Sequence, residues 1–389
     1  MTGESGEIHR GGATVVTPRT RRRPGGAPGR PGPRRAGRQQ PAPATRHRVE
    51  FVFLPGLEDV VRDELDRALG SPRVVTVPGR DDAVQATVVG SLRPLLRLRT
   101  VVAPFLSLRF DVPRPRALLD GAHFPRLIEA VRLAATVDPG ARSRSFRFDA
   151  AGRDTQVFQH LAEQLGAATG MRHDPEEGTT LLRVRRPPGL DAWDVLVRLG
   201  ARPLSARPWR RMGYVAAANA TVAAAMVRLT RPRPEDAVVN LMCGSGTLLI
   251  ERLLAAPARL AVGVDLAGDA IEAAAVNVAE AGLKGQVQLV ESDIADAGWA
   301  RRGPFDVLLA DPPWGDKIGR HEDSEELHDL LLRRGYEVAA PRARFAVLTH
   351  EIRIMARCLE RAKGHWRLES EQKVFNKGHH PRIYVLRRV

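Results

Sequence analysis

Two short runs of this chain carry residue types and spacings that can do chemistry. Asp311-Pro312-Pro313-Trp314 sets a carboxylate, two rigid imino acids and a flat aromatic ring side by side. Proline fixes φ and has no N–H, so the pair stiffens the loop and leaves its carbonyls free to accept. One such carbonyl and the Asp311 carboxylate can accept both protons of a planar –NH2 group, which draws the nitrogen lone pair out of conjugation. Trp314 offers a face on which a flipped-out base can stack. Upstream, Asn240-Leu241-Met242-Cys243-Gly244-Ser245-Gly246-Thr247 is a glycine turn between an apolar run, 237–242, and a leucine-rich stretch, 247–254. Gly244 and Gly246 permit close backbone approach to a ligand, and a strand–turn–helix unit presents free N–H groups at the helix start.

A series of acids follows the turn. A dinucleotide fingerprint needs a third glycine where this chain has Leu249, which argues against a pyrophosphate-bearing cofactor such as NAD. The run 260–265 ends at Asp265, nineteen residues after Gly246, where a carboxylate accepts from ribose hydroxyls. A third strand pattern, 287–290, is followed by Ser292-Asp293-Ile294, with Asp293 placed for an adenine amino group. A fourth, 305–310, ends at Asp311. In a parallel sheet these strand ends converge on one crevice. The series predicts an S-adenosylmethionine site built from Asn240, Cys243, Gly244, Gly246, Thr247, Asp265, Asp293 and Ile294. Beside it, Asp311, Pro312, Pro313 and Trp314 would methylate a base nitrogen. That cofactor is already a strong electrophile, so positioning supplies most of the catalysis.

Cysteine usage points away from a rival chemistry. Methylation at a pyrimidine carbon normally needs a cysteine nucleophile, and the chain has two cysteines, Cys243 inside the turn and Cys358 with no motif around it. Cys243 is expected to pack. Two cysteines give neither a disulfide framework nor zinc spacing, which fits a reducing cytoplasm. His379-His380, beside Lys377 and Arg382, reads as a polar hairpin loop before the last strand rather than a metal site.

The elements that must position these residues are legible from composition and period. Residues 1–46 carry ten Arg against two Glu with few large apolar residues, and are expected to be a disordered basic tail. Strand and helix patterns over 47–112 (strands at 48–54, 74–77, 83–88 and 105–112, a helix from Leu57 to Ala68) predict a ferredoxin-like α+β module. Residues 113–205 hold strands at 146–150, 181–185 and 193–199 and a helix around Val157–Leu165. Residues 206–389 carry seven strand patterns, the last two a hairpin, with an Ala-rich helix capped by Asn219. The fold class is therefore α/β, a doubly wound, Rossmann-like domain after an α+β region. No run of 18 apolar residues suggests a membrane span. The formal net charge of +15 and pI near 11.0 point to a polyanionic partner, and the chain outside the tail is still net basic.

Cys243-Gly244-Ser245-Gly246-Thr247 with Ile250-Glu251, and Asp311-Pro312-Pro313-Trp314-Gly315 with Lys317 and Gly319, resemble motifs of the THUMP-domain RNA methyltransferases, in their tRNA guanine-N2 branch. The resemblance runs from about residue 47 to the end and is strongest in the C-terminal half. It implies a class I S-adenosylmethionine-dependent domain over 206–389 and a THUMP-like domain over 113–205 that holds the acceptor end of tRNA. Arg147, Arg153, Arg172, Arg183 and Arg185 would then offer phosphate contacts, with Lys317 beside the catalytic loop. One departure is Asn240, where the family usually has an aspartate; it can still accept from the cofactor's ammonium, without a charge. The four-residue loop serves guanine in tRNA or rRNA and adenine N6 in DNA alike, and a THUMP-like stretch favours structured RNA. A non-catalytic RNA-binding protein on the same fold is the reading that Asn240 alone supports.

Overall fold

The chain alternates strands and helices from residue 46 to its end. The structure, a computed structural model, describes residues 14–16, 45–214, 217–313, 321–376 and 378–389, with 321–323 described by their backbone alone. Trp314, Lys317 and nearly all of the basic segment 1–46 lie outside the described residues.

The first part contains β1 (Arg46–Val52), α1 (Glu58–Leu69), β2 (Val74–Thr76), β3 (Ala83–Val89), β4 (Ala103–Phe110), α2 (His123–Thr136), β5 (Ser145–Ala150), α3 (Gln156–Thr169), β6 (Arg172–His173), β7 (Thr180–Arg185) and β8 (Trp193–Arg198). Its eight strands form one sheet in the order β2-β3-β1-β4-β8-β7-β5-β6. The expected division at 112/113 is therefore not a break between sheets. β4 pairs antiparallel with β8, Phe105 opposite Arg198, which joins the two stretches through their backbones.

The second part holds α4 (Ala220–Leu229), β9 (Ala237–Leu241), α5 (Thr247–Ala255), β10 (Leu260–Asp265), α6 (Gly268–Glu280), β11 (Gln288–Glu291), β12 (Phe305–Ala310), α7 (His321–Val338), β13 (Ala339–Thr349), α8 (Ile352–Arg361), β14 (Trp366–Lys373) and β15 (Arg382–Arg388). Asn219 caps α4 by accepting from Thr221 N at 2.9 Å. The sheet order is β11-β10-β9-β12-β13-β15-β14. β11, β10, β9, β12 and β13 run parallel, and β15 runs antiparallel to β13 and β14. Every residue of β9 is buried, as a strand covered by helices on both faces must be. The chain leaves β9 to one side through β10 and β11 and returns to the other through β12. This places a topological switch, and hence a crevice, at the carboxyl ends of β9 and β12.

Residues 44–389 form one compact unit with a shared core. Leu57 at the start of α1 and Val61 within it belong to the same apolar cluster as Val222 and Met226 of α4 and Val374 beyond β14. At Gly56 (φ 93°) a Cβ would overlap the Lys373 carbonyl, so only glycine lets this loop lie against the end of β14. Phe375 N donates to Pro55 O at 3.0 Å across the same contact.

Candidate active site

The glycine turn follows β9 directly. Met242, Gly244 and Gly246 all have positive φ, at 53°, 51° and 80°. Gly246 begins α5, and a Cβ there would come within 3.3 Å of the Ala274 Cβ on α6. The turn is held from the neighbouring strand. Gly244 N donates to Asp265 Oδ2 at 2.7 Å, Ala267 N donates to Asp265 Oδ1 at 3.0 Å, and Cys243 N donates to Val264 O at 2.9 Å. Asp265 thus ties the turn to the loop that leads into α6.

A cavity of about 380 Å³ opens at the carboxyl ends of β9, β10 and β12, lined among others by the turn, Asp265, Asp293 and Asp311. Of the twelve catalytic and cofactor-binding residues expected from sequence, the structure brings Cys243, Gly244, Thr247, Asp265, Asp293, Ile294, Asp311, Pro312 and Pro313 together on this one surface. Gly246 is off the lining and shapes the turn. Asn240 is also off the lining, fully buried in β9. Its Nδ2 donates to Leu309 O at 3.1 Å and Leu241 O at 3.3 Å, so its amide nitrogen bridges β9 and β12 at the switch point. Its Oδ1 is buried without a partner.

Asp311 is the most perturbed acid of the site. Its Oδ1 is buried and has no hydrogen-bond partner among the described residues. Burial raises its pKa to about 7, because desolvation disfavours the charged form. Asp293 Oδ1 accepts from Ala295 N at 2.8 Å. Cys243 is buried, and burial followed by the nearby Asp265 charge pushes its thiol well above the usual range. It packs as expected and is no nucleophile.

The lining tests the cofactor directly. Three carboxylates face a cavity whose walls include Met242, Leu248, Leu266, Ile294, Leu327 and Leu330, and no Lys or Arg stands among the described lining residues. Such a surface repels a pyrophosphate and suits a nucleoside that carries hydroxyls, amines and positive charge. The volume falls within the range of small-molecule sites. S-adenosylmethionine fits the residues present.

Tyr214 and Asn277 are not among the site residues expected from the sequence, although the run 209–214 leads into the catalytic domain. Tyr214 lines the cavity near the glycine turn; burial, then the Asp269 and Asp265 charges, raises its phenol. Asn277, fully buried on α6, spends its whole amide on holding that segment. Its Oδ1 accepts from Arg211 N at 2.9 Å and Met212 N at 3.0 Å, and its Nδ2 donates to Met212 O and Ser245 O, both at 3.1 Å. A polar residue on the inner side of an otherwise alanine-rich stretch was the available signal.

The arginines expected to meet RNA are largely engaged within the chain. Arg185 pairs with the fully buried Glu50 at 2.7 Å, Arg183 with Asp149 at 2.8 Å and Arg172 with Asp174 at 2.8 Å. Arg147 donates to Gly178 O, and Arg153 lies 3.5 Å from Glu176. His379 sits in the expected hairpin, bridged to Asn376. Among the described residues no group of three His, Cys, Asp or Glu can hold a metal ion, and no helix is long and apolar enough to cross a membrane.

Comparison with known proteins agrees with this geometry. The family model for UPF0020, the RMKL-like methyltransferase domain, matches residues 207–382. The chain is 28% identical over 349 residues to a tRNA (guanine(6)-N2)-methyltransferase of Thermus thermophilus, covering 88% of this chain and 99% of that one. It is 29% identical over 187 residues to the tRNA (guanine(6)-N(2))-methyltransferase THUMP3 of Bos taurus, covering 44% of this chain and 36% of that one. The solved structure of TrmN from Thermus thermophilus superposes with a TM-score of 0.68 at 24% identity, covering 89% of this chain and all of that one.

Proposed function

We propose that this chain, whose residues 207–382 match the RMKL-like methyltransferase domain, carries out S-adenosylmethionine-dependent methylation of a guanosine N2 amine in tRNA. The observation that carries this is the Asp311 carboxylate. It ends β12 with a buried, unpartnered oxygen and lines the same cavity as the glycine turn, Asp265 and Asp293. Similarity over nearly the full length to a relative named for guanosine N2 methylation in tRNA supports the choice of base and RNA.

In this reading the glycine turn, Asp265 and Asp293 hold the cofactor, with Leu266 and Ile294 as apolar walls. When bound, S-adenosylmethionine supplies an electrophilic methyl group. Asp311 and the Pro312 carbonyl accept the two protons of the guanine amine, and this fixes the direction of the nitrogen lone pair. As the nitrogen gains a methyl group it sheds one proton, which passes to the Asp311 carboxylate. An acid with a pKa near 7 is matched to that task at neutral pH. Trp314 and Lys317, which lie outside the described residues, keep their proposed roles as stacking face and phosphate contact.

The test is nucleoside mass spectrometry of bulk tRNA after incubation with the full chain and methyl-labelled S-adenosylmethionine. Label in N2-methylguanosine is the expected result. Label in a methyladenosine, or none in tRNA, overturns the assignment.

A further inference from the structure

A second cleft, about 530 Å³ in volume, lies between the first sheet and the segment that leads into the methyltransferase domain. Arg97, Arg142 and Arg202 line it, all exposed. Among the described residues no carboxylate pairs with any of the three, unlike Arg183 and Arg185 on the sheet. Its wall is also basic. Arg99 and Arg207 share the single buried carboxylate of Glu251, at 2.6 and 2.8 Å. Arg198, 5% exposed, donates to the carbonyls of Thr179 and Ala201, two residues of the lining, both at 2.8 Å. It has no carboxylate partner among the described residues, and its Nε is buried and unpaired. Burial and the neighbouring Arg147 and Arg183 charges lower its pKa to about 10. The Trp209 Nε1, in a side chain 6% exposed on the same lining, is also buried without a partner.

Buried charges are ordinarily paired, because an isolated one is costly. Asp138 is the one acid among the described lining residues, against five arginines. We infer that this cleft binds the sugar–phosphate backbone of the RNA substrate, with Arg97, Arg142 and Arg202 as its phosphate contacts. Residues 201–204 and 206–209 line the cleft and Tyr214, Ala217 and Ala218 line the cofactor cavity, so one connecting segment borders both. RNA seated here would use the arginines left without carboxylates, rather than the sheet arginines that are engaged. The inference rests on the RNA-methyltransferase reading above.

The test compares the full chain with the triple variant Arg97→Ala/Arg142→Ala/Arg202→Ala by fluorescence anisotropy against an unmodified tRNA transcript over a salt series. Each phosphate contact contributes about 0.7–0.9 to the slope of log K against log salt. The triple variant should therefore lose about 2 from the slope and bind at least ~10-fold more weakly at low salt. Its affinity for S-adenosylhomocysteine by calorimetry should be unchanged, which separates lost contacts from a damaged fold. Arg153→Ala/Arg172→Ala, on paired surface arginines, should keep the wild-type slope. An unchanged slope in the triple variant, or an equal loss in the control pair, overturns the inference. So does binding of an acidic peptide but no nucleic acid. If the wild-type chain ignores tRNA yet binds an rRNA fragment through the same three arginines, the cleft stands and the tRNA reading falls.

Discussion

At the scale of single residues, Asp311 joins function to cost. Its folded pKa, near 7, lies above that of an exposed carboxylate. Between the ordinary carboxylate range and about 7 the folded chain holds a proton that the unfolded chain releases, so this group's contribution to stability falls as pH rises through that window. Methyl transfer should follow the opposite trend, rising to a plateau as Asp311 ionises, with a midpoint near pH 7 in single-turnover rates. Asp311→Asn should cost at least ~100-fold in rate while raising stability at pH 8 by on the order of 2 kcal/mol, read by urea denaturation. An Asn variant that is slow but no more stable would refute the buried-charge account. The arginines teach a different lesson at this scale. Sequence counts charges but not partners, so Arg183 and Arg185 read as phosphate contacts until Asp149 and Glu50 appear opposite them.

At the scale of elements, the glycine turn and α6 form a mechanical unit. Gly246 takes φ 80°, and a methyl group added there would lie only 3.3 Å from the Ala274 Cβ. Gly246→Ala carries the left-handed penalty of about 1–2 kcal/mol plus a steric shift of α6, and should lower both the melting temperature and the affinity for S-adenosylhomocysteine. Asn277 holds the 211–212 backbone to the turn through four hydrogen bonds. Asn277→Ala leaves those groups to find other partners at a cost of about 1–3 kcal/mol. Because it frees the segment that carries Tyr214, cofactor affinity measured by calorimetry should fall with it; a loss of stability at unchanged affinity would confine Asn277 to the scaffold. The strands that carry the acids were legible because each is a short apolar run with a polar stop. α6 was not, because its alanines blur the helical period, and neither was the start of β13 at Ala339, where an irregular pairing with β12 interrupts the pattern.

At the scale of the whole molecule, the two sheets are locked at a few points. Glu251, fully buried on α5, accepts from Arg99 of the first part and from Arg207 of the connector. Arg207 also donates to Arg99 O at 2.6 Å. Removing the shared carboxylate leaves two guanidiniums facing each other, one of them buried. Glu251→Gln should therefore destabilise the chain by about 3 kcal/mol or more in chemical denaturation, with tRNA methylation impaired beyond any change in cofactor affinity. A variant of wild-type stability would show that the apolar core shared by α1 and α4 suffices to hold the parts together.

The sequence by itself determined the methyltransferase half. A glycine turn and acids at successive strand ends are local patterns, and parallel-sheet geometry sends their termini to one crevice whatever the loops do between them. It also marked Cys243 as packing and the basic balance as a sign of a polyanionic partner. Tertiary structure alone decided three things. It joined the strands of 46–198 into one sheet, because the β4–β8 pairing is a long-range choice of register. It turned Asn240 inward to bridge two strands, because an amide can satisfy backbone carbonyls as readily as a ligand. It also settled which arginines are left without carboxylates, because pairing depends on what folding brings opposite each side chain.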